Sequence, residues 1–257
     1  MVFATYFKHL ILATASAVCC TSCTHLSVEE NEAYVYSESL SASGNQAGSK
    51  PISTTAATYQ IDCQAPVSMV LRQGSEVGYE LKGDERRIAR LEVKQVDNKF
   101  IIKEKSGWFG RIDGGKCEVI ITVPDLSSLQ ISGAGALRTD GIFVQQSAMD
   151  IEVSGAASVK LELDAPALRV DASGASSILL SGRVHDLMVD MSGAGKISAL
   201  DMQAQTAAIE SSGAGSVAVW AEQRLSIDAS GVGSVRYKGN PELIKDVSGM
   251  VSIKRVP

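Results

Sequence analysis

From residue 130 onward, apolar side chains recur at every second position on both sides of a repeated Ser-Gly pair. The pair begins at Ser132, Ser154, Ser173, Ser192, Ser212, Ser230 and Ser248, in steps of 22, 19, 19, 20, 18 and 18 residues. Three positions before each serine stand Leu129, Ile151, Val170, Val189, Ile209, Ile227 and Lys245. Five positions after it stand Leu137, Val159, Ile178, Ile197, Val217, Val235 and Ile253. Another column, five positions before, holds Met149, Leu168, Leu187, Ala207, Leu225 and Leu243. Polar positions alternate with these columns, which is the period of half-buried strands. Each repeat is therefore predicted to be a strand, a Ser-Gly bend, a second strand and a variable return segment.

One such coil cannot bury its apolar face alone. Stacked coils turn each column into a continuous interior ladder, with backbone hydrogen bonds running from coil to coil. The pattern thus predicts an all-β fold, a right-handed parallel β-helix of about twenty residues per coil. Glycine at the bends meets a need for positive φ or for close passage of two backbones. The last coil is atypical: Lys245 and Arg255 replace apolar column members, and Lys254, Arg255 and Pro257 blunt an open strand edge. A propeller blade would need about 40–45 residues, and the leucine-rich signature is absent.

Residues 59–130 read as less regular coils of the same domain and 131–257 as the regular repeats. Val67, Met69 and Leu71 alternate with polar neighbours, as do Leu91 and Val93, then Phe100 and Ile102; Val119, Ile121 and Val123 run into Pro124. Residues 23–58, rich in Ser, Ala, Thr and Glu, read as a flexible tether.

Before the tether, Lys8 precedes an apolar run from Leu10 to Val18, too short to span a bilayer. Residues 1–22 are expected to be a lipoprotein signal peptide, because Thr21 and Ser22 before Cys23 resemble a bacterial lipobox. Cys23 is the expected acylation site and membrane anchor. Cys20 stands where the lipobox has an aliphatic residue, so Cys19, Cys20 and simple secretory cleavage stay open. The export reading implies an outer-membrane or cell-surface lipoprotein, with the periplasmic face as the other option. It also permits a disulfide between Cys63 and Cys117, against two buried free thiols.

The serial Ser-Gly-Ala-Gly turns at Ser132, Ser192 and Ser212 are distinctive. So are the strand into Pro124 and Leu126, the closing run from Tyr237 to Pro241, and the run from Val247 to Ile253. Over about residues 59–257 they resemble the GIN-type autotransporter-adhesin head domain. The resemblance implies a right-handed parallel β-helix on a bacterial envelope protein, and it brings no catalytic residue.

Composition narrows the chemistry. A formal charge of -5 without a long Lys/Arg cluster suits nucleic acid poorly, since that affinity comes from neutralising phosphates. The Gly-Ala-Gly runs repeat and lead into strands, unlike a dinucleotide fingerprint, which opens one helix. His9, His25 and His185 are too few and too scattered for a zinc site or a supported Ser-His-Asp triad. No cofactor is implied.

Two features remain as candidate sites. Two positions before the serines stand Gln130, Glu152, Asp171, Asp190, Glu210, Asp228 and Asp246. Stacked at a strand spacing of ~4.8 Å, neighbouring carboxylates repel by about 1 kcal/mol in water. A hard cation such as Ca²⁺ would offset this, or else hydrogen bonds from nearby hydroxyls and turn N–H groups. The second feature is Trp108 and Phe109, in a glycine-rich loop, which either contact a partner or cap an open coil end.

The leading functional expectation is a non-catalytic envelope or surface module, an adhesin contacting a glycan, a matrix component or a partner protein. The alternatives are a structural envelope protein assembling as a homo-oligomer through its coil ends, and a carbohydrate-active β-helix enzyme. The enzyme would need a paired acid–base set in a cleft.

Overall fold

Alternation of aliphatic and polar residues gives each strand one face that must be hidden, and parallel stacking hides it against the same face of the next coil. The computed structural model shows this outcome, and it describes residues 35–38, 58–105 and 115–257. Its strands in chain order are β1 (Val35–Glu38), β2 (Tyr59–Cys63), β3 (Ser68–Gln73), β4 (Gly78–Gly83), β5 (Leu91–Val96), β6 (Lys99–Glu104), β7 (Cys117–Val123) and β8 (Leu126–Ile131). They continue as β9 (Ala136–Thr139), β10 (Phe143–Val144), β11 (Met149–Val153), β12 (Ser158–Ala172), β13 (Ser177–Met191), β14 (Lys196–Ser211), β15 (Ala214–Lys238) and β16 (Glu242–Arg255). A short helix, α1 (Glu85–Arg90), joins β4 to β5 and starts on Asp84, whose Oδ1 accepts from the N–H groups of Arg86 and Arg87.

The regular part is a β-solenoid with the predicted register. Leu129, Ile151, Val170, Val189, Ile209, Ile227 and Lys245 lie side by side on successive parallel rungs. The column from Leu137 through Val159, Ile178 and Ile197 to Val217 does the same. From Leu129 to Ile227 the first column is at most 1% exposed. Hiding one such side chain contributes about 1.5–3 kcal/mol, so the ladder carries much of the fold's stability.

The return segment is strand too. Instead of ending after the second arm, β12, β13 and β14 run on into the next coil's first arm. The uneven repeat length is absorbed at one corner. Register shifts fall between Leu179 and Ser181 and between Ala199 and Thr206, leaving the apolar columns in phase on either side.

From Gly155 onward, the glycine of each Ser-Gly pair is fixed by close passage. A Cβ on Gly155 would lie 2.4 Å from the carbonyl oxygen of Gly133. On Gly174, Gly193 and Gly213 it would lie 2.5, 2.2 and 2.1 Å from the carbonyl oxygen of the glycine one rung before. Positive φ appears in this column only at Gly231 and Gly249. Of the two reasons expected, the close approach operates from Gly155 to Gly249, and Gly133 alone of the column escapes it.

The first coils are stacked out of chain order. Strand β2 lies between β6 and β8, and β3 lies between β7 and β9. The coil built from β6 and β7 is therefore outermost, although the chain reaches it second. The inner columns continue through it: Phe100 pairs with Ile61, which pairs with Leu129, and Val119 pairs with Met69, which pairs with Leu137. Antiparallel strands cover this end, β5 on β6 and β4 on β7. Val35–Glu38, inside the segment read as a tether, is strand β1 and pairs antiparallel with β4. The rest of that segment lies outside the described residues.

At the other end, β16 pairs with β15 alone. Lys245 and Arg255 are exposed there as anticipated, while Leu243, Val251 and Ile253 rest half-buried against the core.

Candidate functional site

Two adjoining outward faces carry the chemistry. The first is the acidic column. The ladder places Gln130, Glu152, Asp171, Asp190, Glu210, Asp228 and Asp246 next to one another on successive rungs. Three contacts temper its charge: the Gln130 amide donates to Glu152 at 3.2 Å, Arg169 Nε donates to Asp171 at 3.0 Å, and Lys99 sits 3.2 Å from Asp62, the residue paired with Gln130. The hydrogen bond and charge of Asp171 raise the proton affinity of the Arg169 guanidinium further. Among the described residues, no three His, Cys, Asp or Glu side chains converge as a metal site would require.

Beside that column runs a shallow groove of about 280 Å³ across five rungs. Its floor and walls include Asp150, Arg169, Asp186, Met188, Thr206 and Arg224. These residues stand four and six positions before the serines, on the outward side of strands whose inward members are Met149, Leu168, Leu187, Ala207 and Leu225. Asp186 accepts from Thr206 Oγ1 at 2.6 Å and is bonded to His185 Nδ1 at 2.9 Å. The Thr206 hydroxyl, then the His185 ring, hold this carboxyl below the usual carboxylate range. The groove thus sets two carboxylate acceptors and two guanidinium donors, in two columns, over a partly apolar floor.

Residues 59–241 match the family described as "Putative auto-transporter adhesin, head GIN domain". The chain belongs to this family. Solved structures share the fold of this GIN domain. A "putative adhesin" from Bacteroides fragilis superposes with a TM-score of 0.73 at 20% identity, over 88% of this chain and 98% of that one. A "putative lipid binding protein" from Parabacteroides distasonis gives 0.58 at 21%, over 78% and 94%. A "putative adhesin" from the same organism gives 0.55 at 17%, over 88% and 97%. No curated protein matches the sequence.

The remaining sequence candidates of the GIN domain chain fall in different places. Cys63 and Cys117 are buried free thiols. They sit on β2 and β7, which are not neighbours in the sheet. Burial raises both thiol pKa values. Cys23, Trp108 and Phe109 lie outside the described residues. A recess of about 810 Å³ is lined in part by Lys82, Arg87, Lys116 and Glu118.

The groove was not singled out by the sequence pattern. Its residues do form columns four and six positions before each serine, but those columns mix Asp, Arg, Met, Ala, Thr and Ser. A mixed column has no chemical signature until the ladder brings its members onto one face.

Proposed function

We propose that the protein is a non-catalytic surface module that holds an extended, neutral glycan along the groove from Asp150 to Arg224. The supporting observation is that Asp150 pairs with Arg169 in one column while Asp186, Thr206 and Arg224 follow one another in the next. Sugar hydroxyls are both donors and acceptors, so a polyhydroxylated chain can give hydrogen bonds to the carboxylates and take them from the guanidinium groups. Met188 and the alanines of the floor offer apolar contact to a sugar ring. Repetition at the strand spacing lets several weak contacts add within one ligand. Family membership favours the adhesin reading and an envelope location, with Cys23 as the lipid-bearing residue.

The test is a glycan array followed by titration of the best binder. Arg169→Ala with Arg224→Ala should weaken binding and lower Tm only slightly, because it removes no more than two exposed ion pairs. An array with no binder, a binder indifferent to the double variant, or release of shortened product from a bound polysaccharide would each overturn the proposal. Acylation is read separately, by mass analysis of the mature N-terminus in the parent and in Cys23→Ser.

A further inference from the structure

The C-terminal corner concentrates positive charge on an otherwise acidic protein. Arg236 on β15 pairs in register with Lys254 on β16, so two cations point outward one strand spacing apart. Like charges directly opposite in a ladder are destabilising. Lys238, two residues on, shares their outward face, whereas Arg255, in register with Tyr237, belongs to the inward column. No described carboxylate lies within ion-pair distance of Arg236, Lys238, Lys254 or Arg255. Arg236, Lys238 and Lys254 thus share one outward face without an acidic ion-pair partner among the described residues.

Lys238 also lines a recess of about 450 Å³, together with Trp220, Glu222, Gly239, Arg255 and the last two residues. The half-buried Trp220 is fixed from two sides. Its Nε1–H donates to Glu222 Oε1 at 2.8 Å, an oxygen that also accepts from Gln203 at 3.1 Å. The Lys238 ammonium lies 3.9 Å from the centre of the ring. Glu222 thus holds the ring at its edge while Lys238 covers its face. Gly239, at φ +100, keeps the turn beside the ring narrow: a Cβ there would meet the carbonyl oxygen of Ala221 at 2.0 Å.

We propose that this corner is a second binding site, separate from the groove, for the acid group of an anionic saccharide. The carboxylate, sulfate or phosphate is taken by Arg236 and Lys254, and the sugar ring lies beside Trp220. Arginine forks match such oxyanions bidentately, and a fixed aromatic ring gives a sugar a flat apolar contact. The site is concave and tryptophan-lined, which favours a saccharide over a flat anionic membrane. The unrelieved Arg236–Lys254 pair gives an anion a stabilising role that neutral ligands cannot fill.

The test uses the full chain and four probes: an oligogalacturonate, a neutral oligosaccharide of the same length, inorganic phosphate, and vesicles containing anionic phospholipid. The oligogalacturonate should bind and the neutral chain should not compete at this corner. Phosphate should compete weakly, and affinity should fall as salt rises. Arg236→Gln and Lys254→Gln should each weaken binding about tenfold, the scale of one charge-assisted contact. Lys254→Gln should at the same time melt no lower than the parent, because it relieves repulsion. Trp220→Leu should weaken binding of the oligosaccharide but not of phosphate. The groove variant Arg169→Ala with Arg224→Ala should leave all of this unchanged. The proposal is overturned by no binding of the acidic chain, by binding that survives both glutamine variants, or by binding to vesicles alone.

Discussion

The side-chain amide of Gln145 closes on the backbone of Leu126 as a neighbouring strand would. Its Oε1 accepts from the Leu126 N–H at 3.0 Å and its Nε2 donates to the Leu126 carbonyl at 2.8 Å. Both residues are buried, in the coil where β10 is only two residues long and the ladder has a gap. Gln73 spans a neighbouring gap in the same way, donating to the carbonyls of Pro124 and Val144 and accepting from the Val144 N–H.

A buried carbonyl left without a donor costs about 1–3 kcal/mol. Gln145→Ala removes the donor to Leu126 and leaves a small cavity, so it should lower stability by about 2–4 kcal/mol. Gln73→Ala, at a more exposed position, should cost about 1 kcal/mol. Urea unfolding of the two variants checks the order. Equal losses would mean that Gln145 is not a surrogate rung.

The glycine column allows a contrast within one motif. Gly193→Ala would place a Cβ 2.2 Å from the Gly174 carbonyl oxygen and must push the two rungs away from each other. Gly133→Ala would place it 3.4 Å from the Gln64 carbonyl oxygen, an ordinary contact. The first should therefore cost several kcal/mol, in the range of severe core overpacking or beyond, and the second less than about 1 kcal/mol. Thermal melts of both variants decide it. Positive-φ demand would instead spare both, since neither glycine has a positive φ.

Cys63 and Cys117 should resist alkylation at mildly alkaline pH in the native protein. Both should label once the chain is unfolded without reductant. Peptide mass analysis reads this, and a pair that labels only after reduction would be a disulfide. Burial raises both thiol pKa values in the fold. The unfolded chain then loses these protons first, so stability is full below the ordinary thiol range and declines as pH rises through it. Cys63→Ala with Cys117→Ala should flatten that alkaline decline in a pH series of melts.

The acidic column should cost stability. Asp190 lies between Asp171 and Glu210 in the ladder. Neutralising it in Asp190→Asn should hold or raise stability, by up to about 1 kcal/mol at low ionic strength, with the gain fading as salt screens the neighbours. Melts in a salt series give the answer. A calcium-dependent rise in the parent's Tm that Asp190→Asn abolishes would assign the column to cation binding instead.

Much of this architecture is legible in the chain. Alternation about the Ser-Gly pair fixes which side chains point inward, because a slip of one residue would turn every apolar column out to water. That is why Leu129 through Ile227 and Leu137 through Val217 fall on the rungs where counting from the serines places them. The acidic column was readable for the same reason, being uniform in charge as well as in position. The groove and the cationic corner were not. Arg169 and Asp186 share a face only once the ladder has formed. Trp220 and Lys238 meet across the turn at Gly239, where the chain passes close to Ala221, and no local pattern in either segment announces that approach.

The sequence by itself determined the repeating strand, its buried face and its parallel stacking, since all three follow from local hydrophobic period and from the need of each coil for a neighbour. Only the tertiary structure decided which coil lies outermost, because β2 meets β6 on one side and β8 on the other, and nothing in a single strand's pattern ranks two equally apolar partners. It also decided why the bends use glycine. The requirement comes from the carbonyl one rung away, an atom about twenty residues distant in the chain.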